Sequence, residues 1–160
     1  MSQPAPGSGP TRPEVDPHEG EAVVPPPGLP TVALDERGAP TITIPPGSAP
    51  PGELVVQQLI KGTGPLVQAG QTIRAHYTGV KYADGAVFDS SWENGSPVPF
   101  VIGRGQVIQG WDAGLVNQPV GSQVLLIVPP ADGYGEAGQP AAGITGTDTL
   151  VFVVDVLAAG

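Results

Sequence analysis

The nine residues Val107-Ile108-Gln109-Gly110-Trp111-Asp112-Ala113-Gly114-Leu115 constrain the fold more than any other stretch of this chain. Val107 or Ile108, Trp111 and Leu115 recur at three- and four-residue intervals, so a short helix would show them on one face. Strand-like runs lie on both sides. A lone short helix among strands draws its stability from packing and not from propensity, so its apolar face should plug a curved sheet. Gly110 and Gly114 each weaken such a helix by about 1 kcal/mol against alanine. Glycine at both positions therefore points to close packing at the helix surface.

Composition divides the chain near residue 52. Fourteen of the 21 prolines lie in residues 1–52, and all eight aromatic residues follow them. A proline-crowded segment without aromatics cannot bury enough surface to offset its ordering entropy. Residues 1–30 are therefore expected to be a disordered acidic tail and residues 53–160 the folded domain. In residues 31–52, Val32 and Leu34, then Ile42 and Ile44, alternate with polar residues around Asp35-Glu36-Arg37-Gly38. A marginal hairpin and an extended arm lying on the domain both fit this pattern, and the arm is the reading preferred here.

The net charge of −9 is spread over both parts, with no basic patch, so phosphate-dominated nucleic-acid binding is not expected. Anionic membrane surfaces are disfavoured for the same reason. No apolar run approaches the ~18 residues that a membrane span needs. The chain has no cysteine, which removes disulfides, thiolate nucleophiles and sulfur-ligated metals. The carboxylates of the tail (Glu14, Asp16, Glu19 and Glu21, with His18) read as solvated charge and not as a metal cluster.

In the folded part, Leu54–Ile60 suits a first strand, and Thr72–Tyr82 a longer one in which Ile73, Ala75 and Tyr77 face one way and Arg74, His76 and Thr78 the other. Asp84-Gly85 is a turn signal before Val87–Trp92. Prolines 97 and 99 demote the run to Ile102 to an edge strand. Gln123–Val128 and Thr149–Leu157 are near-continuous apolar strands, separated by a long Gly-, Ala- and Pro-rich loop over 131–147. Most connections are too short for parallel crossovers. The expected class is α+β, a mainly antiparallel sheet around one short helix.

Several separated motifs then coincide. His76-Tyr77-Thr78-Gly79, Phe88-Asp89-Ser90-Ser91, Val107-Ile108-Gln109-Gly110-Trp111, Tyr134-Gly135 and Leu150-Val151-Phe152 stand in the order and approximate spacing of FKBP-type peptidyl-prolyl cis-trans isomerases. Over residues 53–160 the chain resembles that family. The resemblance implies a curved antiparallel sheet of five or six strands wrapped around the helix, with an apolar pocket between them. Trp111 would be its floor, and Tyr77, Phe88 and Phe152 its walls. The Ile108 N–H and the Tyr134 hydroxyl would donate to substrate carbonyls, and Asp89 would sit alongside with its carboxylate hydrogen-bonded. Val98, Phe100, Val107, Ile108 and Ile144 complete the implied substrate- or inhibitor-binding set. Two departures touch the rim: Val98 stands where the family often has an aromatic residue, and Gln139 where many members have His, in a loop about one residue longer near Ala141-Ala142-Gly143.

The implied activity is rotation about Xaa-Pro bonds, assisting protein folding. The uncatalysed barrier is near 20 kcal/mol and reflects lost amide resonance. A planar amide is more dipolar than a twisted one, so transfer from water into an aromatic cup disfavours the planar state more. Two oriented donors can add selectivity for the twisted geometry. Neither cofactor nor metal is needed. The implied partners are proline-containing peptides and unfolded chains, together with macrolides of the FK506 and rapamycin type.

Plainer readings exist for each residue. Large aromatics are usually core, Asp89-Ser90-Ser91 could be an Asx turn, and His76 alone on a strand reads as structural. The alternative function is a proline-segment binding or chaperone module with little turnover; a spacer role fits poorly with a long apolar loop. No Gly-x-Ser-x-Gly elbow is present. A monomer is the default, and the proline-rich acidic leader favours an extracytoplasmic location, secreted or tethered with its export signal removed, over a cytoplasmic one.

Overall fold

A computed structural model describes residues 21–23, 29–34, 39–45, 50, 52–93, 95–105, 107–135, 138 and 143–159. The expectations for residues 1–20, for the turn at 35–38 and for Gln139 and Ala141-Ala142 lie outside the described residues.

Among the described residues nine strands and one α-helix follow in chain order: β1 (Glu21–Ala22), β2 (Thr31–Leu34), β3 (Pro40–Thr43), β4 (Val55–Lys61), β5 (Thr72–Lys81), β6 (Val87–Ser90), β7 (Val98–Val101), α1 (Gln109–Leu115), β8 (Gln123–Val128) and β9 (Leu150–Ala159). The main sheet runs β1-β4-β8-β9-β5-β6, with every pairing antiparallel. Its other edge is shared. Residues 72–75 of β5 pair with β7 and residues 78–80 with β6, so the two short strands occupy successive halves of one edge. A section across the sheet therefore meets five or six strands, as the sequence leads one to expect.

The middle of the sheet explains where its residues point. Val124, Leu126 and Val128 of β8 and Leu150, Phe152, Val154 and Val156 of β9 join Ile73, Ala75, Trp111 and Leu115 in one core. Leu125, Ile127, Val151 and Val153 point the other way, into a second apolar cluster with Val80 and Tyr82. Every residue of β8 is buried, because both faces of the strand are covered. The helix covers the first face at close range. A Cβ on Gly110 would stand 2.8 Å from Val128, and one on Gly114 would stand 2.6 Å from Leu126. These contacts are the close packing that the two glycines suggest.

Residues from the leader cover the second face, which corrects two expectations. β2 and β3 pair as a hairpin, Val32 opposite Ile42, and do not run as an unpaired arm. Ile42 is buried in the outer cluster, with Leu29, Val32 and Ile44 packed against it. Within the stretch expected to be disordered, Glu21 and Ala22 pair with Lys61 and Ile60, and the Val23 N–H donates to the Leu59 carbonyl at 2.9 Å. An isolated hairpin is marginal in water. This one lies on apolar surface that would otherwise be wet. A chain starting at residue 53 should therefore lose about 2–3 kcal/mol of stability, the worth of burying one or two large apolar side chains. The urea midpoint of the shortened chain against the full one measures this, and an unchanged midpoint would show that the hairpin contributes nothing.

Candidate active site

Trp111 stands in α1 with 4 % of its surface exposed, held by rings on three strands. Tyr77 of β5, Phe100 of β7 and Phe152 of β9 meet the indole edge-on, with centroids 5.3, 4.8 and 5.5 Å away. Phe88 of β6 meets Phe152 at 5.5 Å in the same edge-to-face manner, the arrangement favoured by ring quadrupoles. Gly79 makes that pair possible: a Cβ there would lie 2.7 Å from Phe88 and 2.8 Å from Phe152.

These rings surround an open cavity of about 420 Å³, lined among the described residues by Tyr77, Phe88, Asp89, Phe100, Gly105, Val107, Ile108, Trp111, Tyr134 and Phe152. The indole is thus packed among these rings while still lining space that a ligand can enter. A volume of this size falls within the range of small-ligand sites.

Three hydrogen-bond donors stand at the cavity, beside the Asp89 carboxylate that also lines it. The Tyr77 hydroxyl donates to Asp89 Oδ2 at 2.7 Å, which fixes the phenol ring against the floor. Burial raises the Tyr77 pKa well above the ordinary phenol value, and the hydrogen bond and charge of Asp89 raise it further. Tyr134 is raised too, first by burial and then by the Asp89 charge. Both phenols remain protonated donors through neutral pH. The third group is the backbone at Ile108, the residue preceding α1. Its carbonyl accepts the Trp111 and Asp112 amides at 2.9 and 3.2 Å, whereas its own N–H has no backbone acceptor among the described residues.

Most of the residues named from sequence converge here, but Val98 and Ile144 do not. Val98 begins β7 opposite Ala75, and its short side chain does not reach the cavity wall. Ile144 is 3 % exposed and packs into the main core. Gly105 was not anticipated, since it lines the cavity with backbone alone and offers no side-chain signal. His76 belongs elsewhere: it is buried, its Nδ1 lies 2.8 Å from Ser91 Oγ, and its ring stacks on Trp92 at 3.8 Å. No group of three or more His, Cys, Asp or Glu side chains able to hold a metal occurs among the described residues.

Comparison with known proteins gives consistent results. Residues 64–157 match the sequence profile of FKBP-type peptidyl-prolyl cis-trans isomerases. The chain is 43% identical over 113 residues to an FK506-binding protein of Streptomyces anulatus, a match covering 71% of this chain and 91% of that protein. It is 49% identical over 89 residues to the peptidyl-prolyl cis-trans isomerase FKBP15-2 of Arabidopsis thaliana, covering 56% of this chain and 53% of the plant protein. The chain therefore spans about half the length of that relative. Among solved structures, the crystal structure of AtFKBP13 superposes with a TM-score of 0.59 at 30% identity, covering 79% of this chain and 96% of the other.

Proposed function

This chain belongs to the FKBP-type peptidyl-prolyl cis-trans isomerase family, and from that premise we propose that the cavity over Trp111 accelerates rotation about Xaa-Pro bonds in peptides and folding chains. The observation that carries this reading is the meeting of five rings around an open cavity that also presents hydroxyl and backbone donors.

The chemistry follows from the lining. A planar prolyl amide entering this space exchanges water for aromatic edges and loses solvation of its dipole. The twisted amide carries less charge separation and loses less, which narrows the gap between them. The Ile108 N–H and the Tyr134 hydroxyl are the donors available to hold substrate carbonyls while the bond turns. Tyr77, braced by Asp89, and Phe88, braced by Phe152, keep the cup in shape. No bond to the substrate is made or broken.

The test is the cis-to-trans rate of an Xaa-Pro peptide, followed by protease coupling or by magnetisation exchange. Acceleration proportional to protein concentration is expected. A rate that stays at its thermal value while the peptide binds would instead identify a capture module.

The same cavity is the expected site for macrolides of the FK506 type, a ligand named for the Streptomyces relative. Because Val98 falls short of the wall, Val98→Phe should extend the rim and tighten FK506 binding by about three- to ten-fold, the worth of about 1 kcal/mol of added aromatic contact. Titration calorimetry decides this, and equal or weaker binding by the variant would contradict it. We further propose a monomeric protein acting outside the cytoplasm; detection confined to the cytosol of its host would overturn that placement.

A further inference from the structure

The loop between β7 and α1 brings Gly105, Val107 and Ile108 to the cavity. Its start is clamped: the Ile102 N–H donates to the Gln71 carbonyl at 3.0 Å, and the Ile102 carbonyl accepts the Gly70 amide at 2.7 Å. Beyond Ile102 the backbone passes through two left-handed glycines, Gly103 (φ 83°) and Gly105 (φ 73°). Both are exposed, and neither has a side chain with which to pack.

The side chain of Asp112 binds this stretch directly. Asp112, in α1, accepts the Gly103 amide on Oδ1 at 2.7 Å and the Gly105 amide on Oδ2 at 2.9 Å. Hydrogen bonds from amides to a carboxylate are roughly twice as strong as neutral ones, and two to one group fix its orientation. A carboxylate in the first turn of a helix is favoured electrostatically, but this one caps no amide of its own helix. Both of its oxygens point to the loop instead. The Asp112 amide meanwhile donates to the Ile108 carbonyl at 3.2 Å, beside the Trp111 amide at 2.9 Å. Trp111, Asp112, the Gly103 and Gly105 amides and the Ile108 carbonyl are thus tied into one assembly.

We propose that Asp112 is a positioning residue for isomerisation: by holding the Gly103 and Gly105 amides it sets the loop backbone, and through it the direction of the Ile108 N–H. This rests on the cavity being the isomerase site. Asp112 touches no substrate and acts only through the loop. A shift of the order of an ångström in a group that stabilises a transition state is enough to reduce the rate by one or two powers of ten. The interaction with Ile108 is needed most when the bond is turned, so its loss falls on kcat. The apolar walls that bind the peptide stay where they are, so KM changes little.

The full chain and its Asp112→Asn, Asp112→Ala and Asp112→Glu variants are compared by steady-state isomerisation of an Xaa-Pro peptide and by amide proton–nitrogen spectra. Asn and Ala should lower kcat about ten-fold with KM within about two-fold, and Glu should restore kcat to within about three-fold of the parent. The Gly103 and Gly105 amide protons should move upfield in the Asn and Ala variants, while resonances of β8 and β9 stay in place and show that the fold is kept. Wild-type kcat in the Ala variant would overturn the proposal, as would a loss carried by KM or one that Glu does not repair. If the wild-type chain fails to accelerate the reaction, the isomerase reading itself falls and takes this proposal with it; if only the variants behave otherwise than stated, that reading stands.

Discussion

Phe152→Ala should reduce kcat/KM for an Xaa-Pro peptide about 100-fold, the scale reached when reacting groups lose their placement. Phe152 is 3 % exposed near the start of β9, between Leu126 of β8 and Gly79 of β5. Its ring braces Trp111 on one side and Phe88 on the other, each at 5.5 Å. Truncation removes one wall and the support of a second, and admits water to the space from which a planar amide must be stripped of it. Stability should fall as well, by about 3–5 kcal/mol as for other buried phenylalanines. Rates are therefore compared at a temperature where the variant is fully folded. Phe152→Leu, which keeps most of the volume, should lie between the two. A folded Phe152→Ala protein with an unchanged rate would remove this ring from the catalytic cup.

Gly79→Ala should lose activity out of proportion to stability. The backbone here needs no left-handed conformation, so space alone decides. The new methyl would sit 2.7 Å from Phe88 Cζ and 2.8 Å from Phe152 Cε1, and both rings must move. Overpacking of this kind costs about 1–3 kcal/mol. Here the strain falls on two cavity walls together, and kcat/KM should drop at least about ten-fold. Gly114→Ala provides the contrast. Its methyl would press on Leu126 at 2.6 Å, on the side of α1 that packs against β8 and lines no part of the cavity. It should lower the urea midpoint comparably and leave the rate nearly intact. Equal kinetic losses in the two variants would mean that general loosening, and not the shape of the cup, governs the rate.

The short helix and the two central strands were legible because their patterns have one good interpretation. An apolar stripe at helical spacing with two glycines needs a close neighbour, and β8 and β9 supply it. The walls of the site were legible for another reason: Tyr77, Phe88, Trp111 and Phe152 lie far apart in the chain, and only the register of several motifs brought them together. Val98 and Ile144 were assigned on the same register and fall outside the cavity, one through its short side chain and the other through burial in the core.

The local sequence of the hairpin is weak and fits an unpaired arm as well as a paired one. The signal lay in β8, where Leu125 and Ile127 are as apolar as Val124 and Leu126, so a second cover was required. Asp112 shows in the sequence only as a helix residue, since nothing in its spacing reveals that its carboxylate serves a loop that precedes it. Gly105 carried no chemical signal beyond its place in a Gly-Arg-Gly connection.

The central claim is that an aromatic cup with fixed donors turns the bond without moving a proton. Rates of Xaa-Pro isomerisation measured in H2O and D2O across pH 6 to 9 test it. Because the pKa values of Tyr77 and Tyr134 are raised above the ordinary phenol value of ~10, both hydroxyls keep their protons throughout this range. A level kcat/KM over those pH values and a solvent isotope effect near unity are expected. A bell-shaped profile, or a rate lowered about two-fold or more in D2O, would place proton transfer in the rate-determining step and contradict that claim.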